Sequence, residues 1–298
     1  MNATERYSDY EYLAFRRDGH VLTVELNRPD DYNAIHIPLH SELARVFAEI
    51  RTDDDVRAVV LTGRGKAFSA GGNVLKGPRP GAGPVLDAFF KDARKIITDL
   101  LEVPQPVIAA INGPAVGLGA TLALLCDITL MSRTAVISDP HVTVGVVAGD
   151  GGLIAWPWLV GMARAKEYLL TGDKLTAAEA ERIGLVNRVV EPERLLDEAQ
   201  ALAARLAGGT VRAIQGTKQA LNRIWLDTAN LTLDAALATE KECFASGDHQ
   251  LAVDAFRKAH AEAKAAKEAK AAEEAKAHAE AKAAQADGSA EALTEASA

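Results

Sequence analysis

Two glycine-rich stretches hold the residues best placed to do chemistry with their backbone. The first is Lys66-Ala67-Phe68-Ser69-Ala70-Gly71-Gly72-Asn73, and the second is Asn112-Gly113-Pro114-Ala115-Val116-Gly117-Leu118-Gly119-Ala120-Thr121. Small residues let a ligand approach the chain closely and tolerate a positive φ. The second stretch links a strand-like run to a helical one. Free N–H groups at that helix start would face whatever sits above the turn and favour partial negative charge there. Three readings compete. A phosphate-cradling loop is poor, because Gly65-Lys66 is followed by alanine and Val60 stands where that motif's first glycine belongs. A dinucleotide site is weak, because Gly117-x-Gly119 lacks the third glycine. The third is an oxyanion hole, one N–H from each loop aimed at a thioester carbonyl. Spacing alone does not choose among them.

The elements that must position these loops are legible as an alternation. His20–Leu26 alternates in hydrophobicity and stops at Asn27-Arg28-Pro29, a turn signal. Val56–Thr62 reads as a buried strand, as do Pro106–Ile111 and the shorter Asp127–Met131 and Ala135–Ser138. Between them, Pro38–Arg51 carries Leu39, Leu43, Val46, Phe47 and Ile50 at helical spacing, and Pro84–Glu102 and Gly117–Leu125 are also helical. Strands alternating with helices predict an α/β fold with mostly parallel pairing.

From Gly152 onward only Leu185–Val190 is β-rich. Helical patterns cover Leu153–Leu170, Thr176–Ile183, Pro192–Leu206, Thr210–Thr228, Leu231–Ala245 and His249–His260. Thr176 with Glu179 three residues on forms a capping box. So many helices exceed what one small sheet can cover, and part of them is read as a subunit-contact layer. Ala261–Gln285 is rich in Ala, Lys and Glu with no larger apolar stripe, the pattern of a solvated helical tail, and 287–298 should be disordered. The expected partition is an N-terminal segment 1–17, a core 18–205, a helical region 206–260 and a tail 261–298.

Composition excludes several classes of function. A net charge of −8 over 298 residues argues against a general nucleic-acid binder, which needs a basic surface. The only cysteines, Cys126 and Cys243, give neither a disulfide framework nor metal-ligand spacing, so a reducing cytoplasm is the simplest setting and no metal is expected. Met1–Asp18 lacks an apolar signal core, and no apolar run approaches the roughly 20 residues that span a bilayer. A soluble protein without a membrane partner is expected.

The two loops and their surroundings resemble the crotonase superfamily, the enoyl-CoA hydratase/isomerase family. The matching stretches are Leu26-Asn27-Arg28-Pro29 with Asn33-Ala34, KAFSAGGN, PVIAAINGPAVGLGATLALLCDI, GVVAGDGG, RAKEYLLTGDKLTAAEAERIGLVNRVV and the region of Ala255-Phe256, in that order from about Asp18 to His260. The resemblance implies a ββα spiral core, a C-terminal helical trimerisation region and a homotrimer or hexamer. It implies an acyl-CoA substrate, with CoA as part of the substrate and no separate cofactor. By matching position, the oxyanion-hole donors are the backbone N–H groups of Gly72 and Leu118, and the CoA contacts come from Arg28, Ala34, Lys66, Ala70 and Gly72.

The departures from the family pattern bear on mechanism. Hydratases of this kind use two glutamates, and this chain has Thr121 and His141 at the matching positions. Threonine cannot act as an acid or base near neutral pH. Asp150, within Ala148-Gly149-Asp150-Gly151-Gly152, stands where dienoyl-CoA isomerases, chlorobenzoyl-CoA dehalogenases and camphor-type β-diketone hydrolases place a functional aspartate. The last group also pairs it with a histidine nine residues earlier, matching His141. Histidine titrates near physiological pH and can activate water, with an aspartate orienting it. The expected catalytic pair is therefore His141 and Asp150, acting on an acyl-CoA enolate. C–C bond hydrolysis of a β-dicarbonyl is the alternative within the family, and a non-catalytic CoA-binding or scaffold subunit is the alternative outside it. Competing structural roles are an N-cap for Asp150, a loop position for His141 and a turn for Asp139. Trp156, Trp158, Phe89 and Phe90 are either acyl-pocket walls or core, and His36 and His40 are expected at the surface.

Overall fold

The computed structural model describes residues 6–73, 83–259, 261–262 and 265–266. The chain divides into two compact units, Met1–Gln250 and Leu251–Ala298. In the second, residues 251–259 are helical, and the expectation for residues 267–298 lies outside the described residues.

Among the described residues, the first unit holds nine strands in two sheets: β1 (Leu13–Asp18), β2 (Val21–Leu26), β3 (Ala58–Gly63), β4 (Val107–Ile111), β5 (Ala115–Val116), β6 (Ile128–Ser132), β7 (Val136–Ser138), β8 (Leu175–Thr176) and β9 (Arg188–Val190). The large sheet runs β1-β2-β3-β4-β6-β9, and the small one β5-β7-β8. β1 is antiparallel to β2, and the rest of the large sheet is parallel. The helices that accompany them include α1 (Ile37–Arg51), α2 (Pro84–Glu102), α3 (Leu118–Leu124), α4 (Gly152–Thr171), α5 (Ala177–Arg182), α6 (Leu195–Ala207) and α7 (Val211–Phe244).

Successive residues of a strand face opposite ways, and β3 shows what that does here. Val59 and Leu61 enter the main core with Leu43, Phe47 and Ile50 of α1 and Ile97 of α2. Ala58 and Val60 enter a second core under α6, with Leu195, Ala199 and Leu202. The parallel sheet is thus covered on both faces, which explains why its strands read as continuous apolar runs. The mixed α/β fold and the helical C-terminal region match expectation.

Several details differ from the sequence reading. The sheet begins before residue 18: Leu13–Asp18 pairs as an edge strand whose two arginines hid its apolar alternation. The runs expected as separate helices at 210–228 and 231–245 are one 34-residue helix, α7, because no Gly or Pro interrupts Thr228–Leu231. Conversely, α4 breaks at Gly161, whose φ of 80° and ψ of 158° are not helical. The Thr176 capping bond is present, with the Glu179 N–H donating to Thr176 Oγ1 at 3.3 Å. His40 is not at the surface. It is 1% exposed and stacks on Phe89 at 4.1 Å between ring centroids, because α1 turns it toward α2. Burial lowers its pKa to about 4, so it is neutral.

Helix α7 is fixed at its start by a buried cation. Lys218 Nζ lies 2.6 Å from Asp127 Oδ2 and donates to the Gln105 carbonyl at 2.9 Å. A buried ammonium needs such partners, since leaving it unpaired costs several kcal/mol. Asn222 adds a bond to the Leu101 carbonyl, and Arg94 on α2 pairs with Asp234 at 2.9 Å.

Candidate active site

The two glycine-rich loops are joined backbone to backbone. The Ser69 N–H donates to the Pro114 carbonyl at 3.0 Å and the Val116 N–H to the Ser69 carbonyl at 2.9 Å. Gly71, at φ 79°, sits so close that a Cβ there would lie 2.3 Å from the Val116 oxygen, so no side chain fits. This contact sets Gly72 beside the start of α3. Among the described residues, neither the Gly72 nor the Leu118 N–H donates to another protein group.

Asn33 ties the expected CoA residues into one corner. Its Oδ1 accepts from the Arg28 N–H at 2.8 Å, and its Nδ2 donates to the Arg64 and Ala67 carbonyls at 3.0 and 2.8 Å. Its carbonyl accepts from the Ser69 hydroxyl at 2.8 Å. The Ala70 N–H donates to the Tyr32 carbonyl, the Arg28 guanidinium donates to the Ala34 carbonyl and pairs with Asp31, and Lys66 is exposed. Arg28, Ala34, Lys66 and Ala70 therefore gather beside Gly72.

Gly117, at φ 54°, begins α3 and faces the His141 ring: a Cβ there would lie 3.3 Å from His141 Cε1. The imidazole is held from both sides. Its Nδ1 bonds Asp139 Oδ1, and its Nε2 lies 3.2 Å from Asp150 Oδ2. Burial alone would depress its pKa, but the Asp150 and Asp139 carboxylates outweigh that and hold it well above the ordinary histidine value. The two carboxylates thus favour the charged form of the His141 imidazole. Asp150 does not cap α4, whose N-cap is Gly151 with no side-chain bond. Asp139 is fully buried and engaged with His141, not a simple turn residue.

A third acid completes the cluster. Glu240 on α7 is 4% exposed, and a Cβ on Gly149 would lie 2.6 Å from its Oε2. Burial, then the Asp150 and Asp139 charges, pushes its pKa well above the ordinary carboxylate value, which favours its protonated form. One oxygen on each acid, Asp139 Oδ2, Asp150 Oδ1 and Glu240 Oε2, has no partner among the described residues, and neither does the buried Thr121 hydroxyl. Glu240 was missed from sequence. Its one signal is position: it shares the inward stripe of Leu233, Leu237 and Phe244.

Of the four aromatics named from sequence, Phe90 is nearly buried and packs edge-on against Phe244 at 5.8 Å, and Trp156 is fully buried. Trp158 is 54% exposed and bonds the Thr228 hydroxyl. Phe89 covers His40. Among the described residues no cluster of three or more His, Cys, Asp or Glu side chains could hold a metal ion, and no helix is long and apolar enough to cross a membrane.

Joined loops that carry the Gly72 and Leu118 N–H groups, set on a parallel sheet covered on both faces, define a crotonase-type protein. The sequence model for enoyl-CoA hydratase/isomerase matches residues 16–285. A probable enoyl-CoA hydratase of Rhizobium meliloti (strain 1021) is 38% identical over 237 residues, 80% of this chain and 90% of that protein. Among solved structures, an enoyl-CoA hydratase/isomerase from Mycobacterium paratuberculosis has a TM-score of 0.79 at 36% identity, covering 83% of this chain and 99% of that one. A β-diketone hydrolase from the cyanobacterium Anabaena sp. PCC 7120, bound to (S)-3-oxocyclohexyl acetic acid, has a TM-score of 0.77 at 31% identity, covering 82% and 98%. The chain belongs to the enoyl-CoA hydratase/isomerase family.

Proposed function

We propose that this enzyme acts on an acyl-CoA thioester through an enolate, with Asp150 and His141 handling the proton. The observation that carries this reading is the imidazole bracketed by Asp139 and Asp150 above Gly117. An imidazole held charged is a poor base, so the base is Asp150, whose Oδ1 is unpartnered. Asp150 takes a proton from the substrate carbon, and the electron pair moves to the thioester oxygen. That oxygen accepts from the Gly72 and Leu118 N–H groups. Return of the proton to a different carbon relocates the double bond. Asp139 and Glu240 support the pair, one orienting the imidazolium and the other staying neutral beside two carboxylates.

A second reading is favoured by the likeness to the β-diketone hydrolase. There, water adds to a carbonyl, the adjacent C–C bond breaks, and the carbon of the released enolate takes the proton. The two are separated by offering purified protein 2-enoyl- and 3-enoyl-CoA esters, and separately a cyclic 1,3-diketone, while following absorbance and products. Interconversion of conjugated and unconjugated thioesters supports the first, and ring opening to a keto acid supports the second. CoA binding without turnover of either would overturn both and leave a non-catalytic subunit.

The proposal extends to a homotrimer or hexamer, supported by exposed apolar side chains on α4 and α7: Trp158, Met162, Leu170, Leu221, Ile224 and Leu231. A monomer in sedimentation velocity would refute it. A cytoplasmic setting is supported by Cys126 and Cys243, both free thiols.

A further inference from the structure

We infer that His249 is a positioning residue, which fixes the turn carrying His141 and makes the C-terminal helical segment set the geometry of the catalytic pair. This deepens the proposed use of His141 and Asp150 and rests on it. His141–Val144 form a single tight helical turn, closed internally by the Thr143 hydroxyl on the Pro140 carbonyl at 2.8 Å and the Val146 N–H on the His141 carbonyl at 3.1 Å. The far end of that turn is held from another part of the chain. His249 Nδ1 lies 2.7 Å from the Val144 carbonyl, which can only accept, so Nδ1 carries the proton and donates.

Three further contacts hold His249 itself. It is 9% exposed, and its ring packs on Phe244 with centroids 4.8 Å apart. Its backbone N–H donates to the Ser246 hydroxyl at 3.1 Å. Gly145, the left-handed residue that ends the His141 turn, passes so near that a Cβ there would lie 2.8 Å from His249 Cα. The turn and the residue are therefore in contact through backbone as well as side chain. The contact between His141 Nε2 and Asp150, at 3.2 Å, has little slack. A displacement of about 1 Å at the other end of so short a turn would break it.

The test compares His249→Ala with His249→Asn, whose Nδ2 replaces the lost donor. Using whichever CoA ester or diketone the enzyme turns over, the alanine variant should lose about tenfold in kcat, with KM changed by less than about twofold. In NMR spectra of the ligand-free protein, the His141 imidazole titration should move down toward the ordinary histidine value. Asparagine should restore both readouts. An alanine variant with wild-type kcat and His141 titration would overturn the inference. So would equal impairment of both variants alongside a lowered Tm, which would mark a purely structural role. If His141→Gln retained full activity, the proposed function would fail, yet the NMR comparison would still decide what His249 does.

Discussion

The proposed site draws on two regions made on different plans. The spiral-core side presents backbone: the N–H groups of Gly72 and Leu118, set by two loops that bond to each other through main-chain atoms. The C-terminal side presents side chains: Glu240 and His249, carried by a helix and the short segment after it. A backbone donor is indifferent to the side chain at its own position, so leucine at 118 is compatible with the proposed role. A side-chain contributor depends on helix length and azimuth, and a substitution that does not replace its polar group removes it. The first kind of site is robust and leaves a local trace in sequence; the second is fragile and leaves almost none.

Four outcomes would sharpen or break this contrast. The largest is expected at the pair between the two regions: Asp150→Asn or His141→Gln should lower kcat about a thousandfold with CoA binding retained, measured by steady-state kinetics and calorimetry. Next, Gly117→Ala places a Cβ 3.3 Å from the His141 ring at a positive φ, which disturbs the donor loop and the imidazole together. A loss of about a hundredfold in kcat is expected, and near-normal turnover would break the account of the backbone side.

On the C-terminal side, Glu240→Gln should cost no more than about tenfold in kcat and should change stability with a defined sign. The folded pKa of Glu240 is raised, so the stability linked to its proton is full below the unfolded value and is lost as pH rises through the folded one. The glutamine variant escapes that loss, so its Tm should exceed the wild type by a margin that grows with pH. A margin that shrank would mean Glu240 is ionised.

The smallest functional effect belongs outside both regions. His40→Leu should leave kcat unchanged. The folded pKa of His40 is lowered to about 4, so its contribution is present above the unfolded value and is lost as pH falls toward the folded one. Between pH 7 and pH 5 the wild type should lose about 2 kcal/mol that the variant keeps, read by denaturant titration.

The same contrast explains what the sequence disclosed. Alternation and helical spacing placed most elements of the large sheet, because burial on both faces of a parallel sheet writes itself as apolar runs. The loops announced themselves through glycines that tight contact requires. His141 and Asp150 came from resemblance, and a helix cap was the competing role for Asp150 until the structure showed Gly151 in that place. Asp139 looked like a turn residue because burial is not written locally. Glu240 was hardest, one of four acids in a 34-residue helix, with Asp227, Asp234 and Glu242. What distinguishes it is only that Leu233, Leu237 and Phe244 share its face.

Helix α7 also works as a ruler. Lys218, pinned at Asp127 and Gln105, and Glu240, placed at Gly149, lie on one continuous helix. The step from residue 218 to residue 240 corresponds to about 33 Å at the rise of an α-helix. A single residue inserted anywhere in that span would swing Glu240 by about 100° and turn its carboxyl out of the cluster. Four inserted residues would nearly restore its direction but carry it about 6 Å too far along the axis. The spacing between an ion pair at one end and an acid at the other is thus a constraint on the chain's length, however freely the exposed residues between them vary.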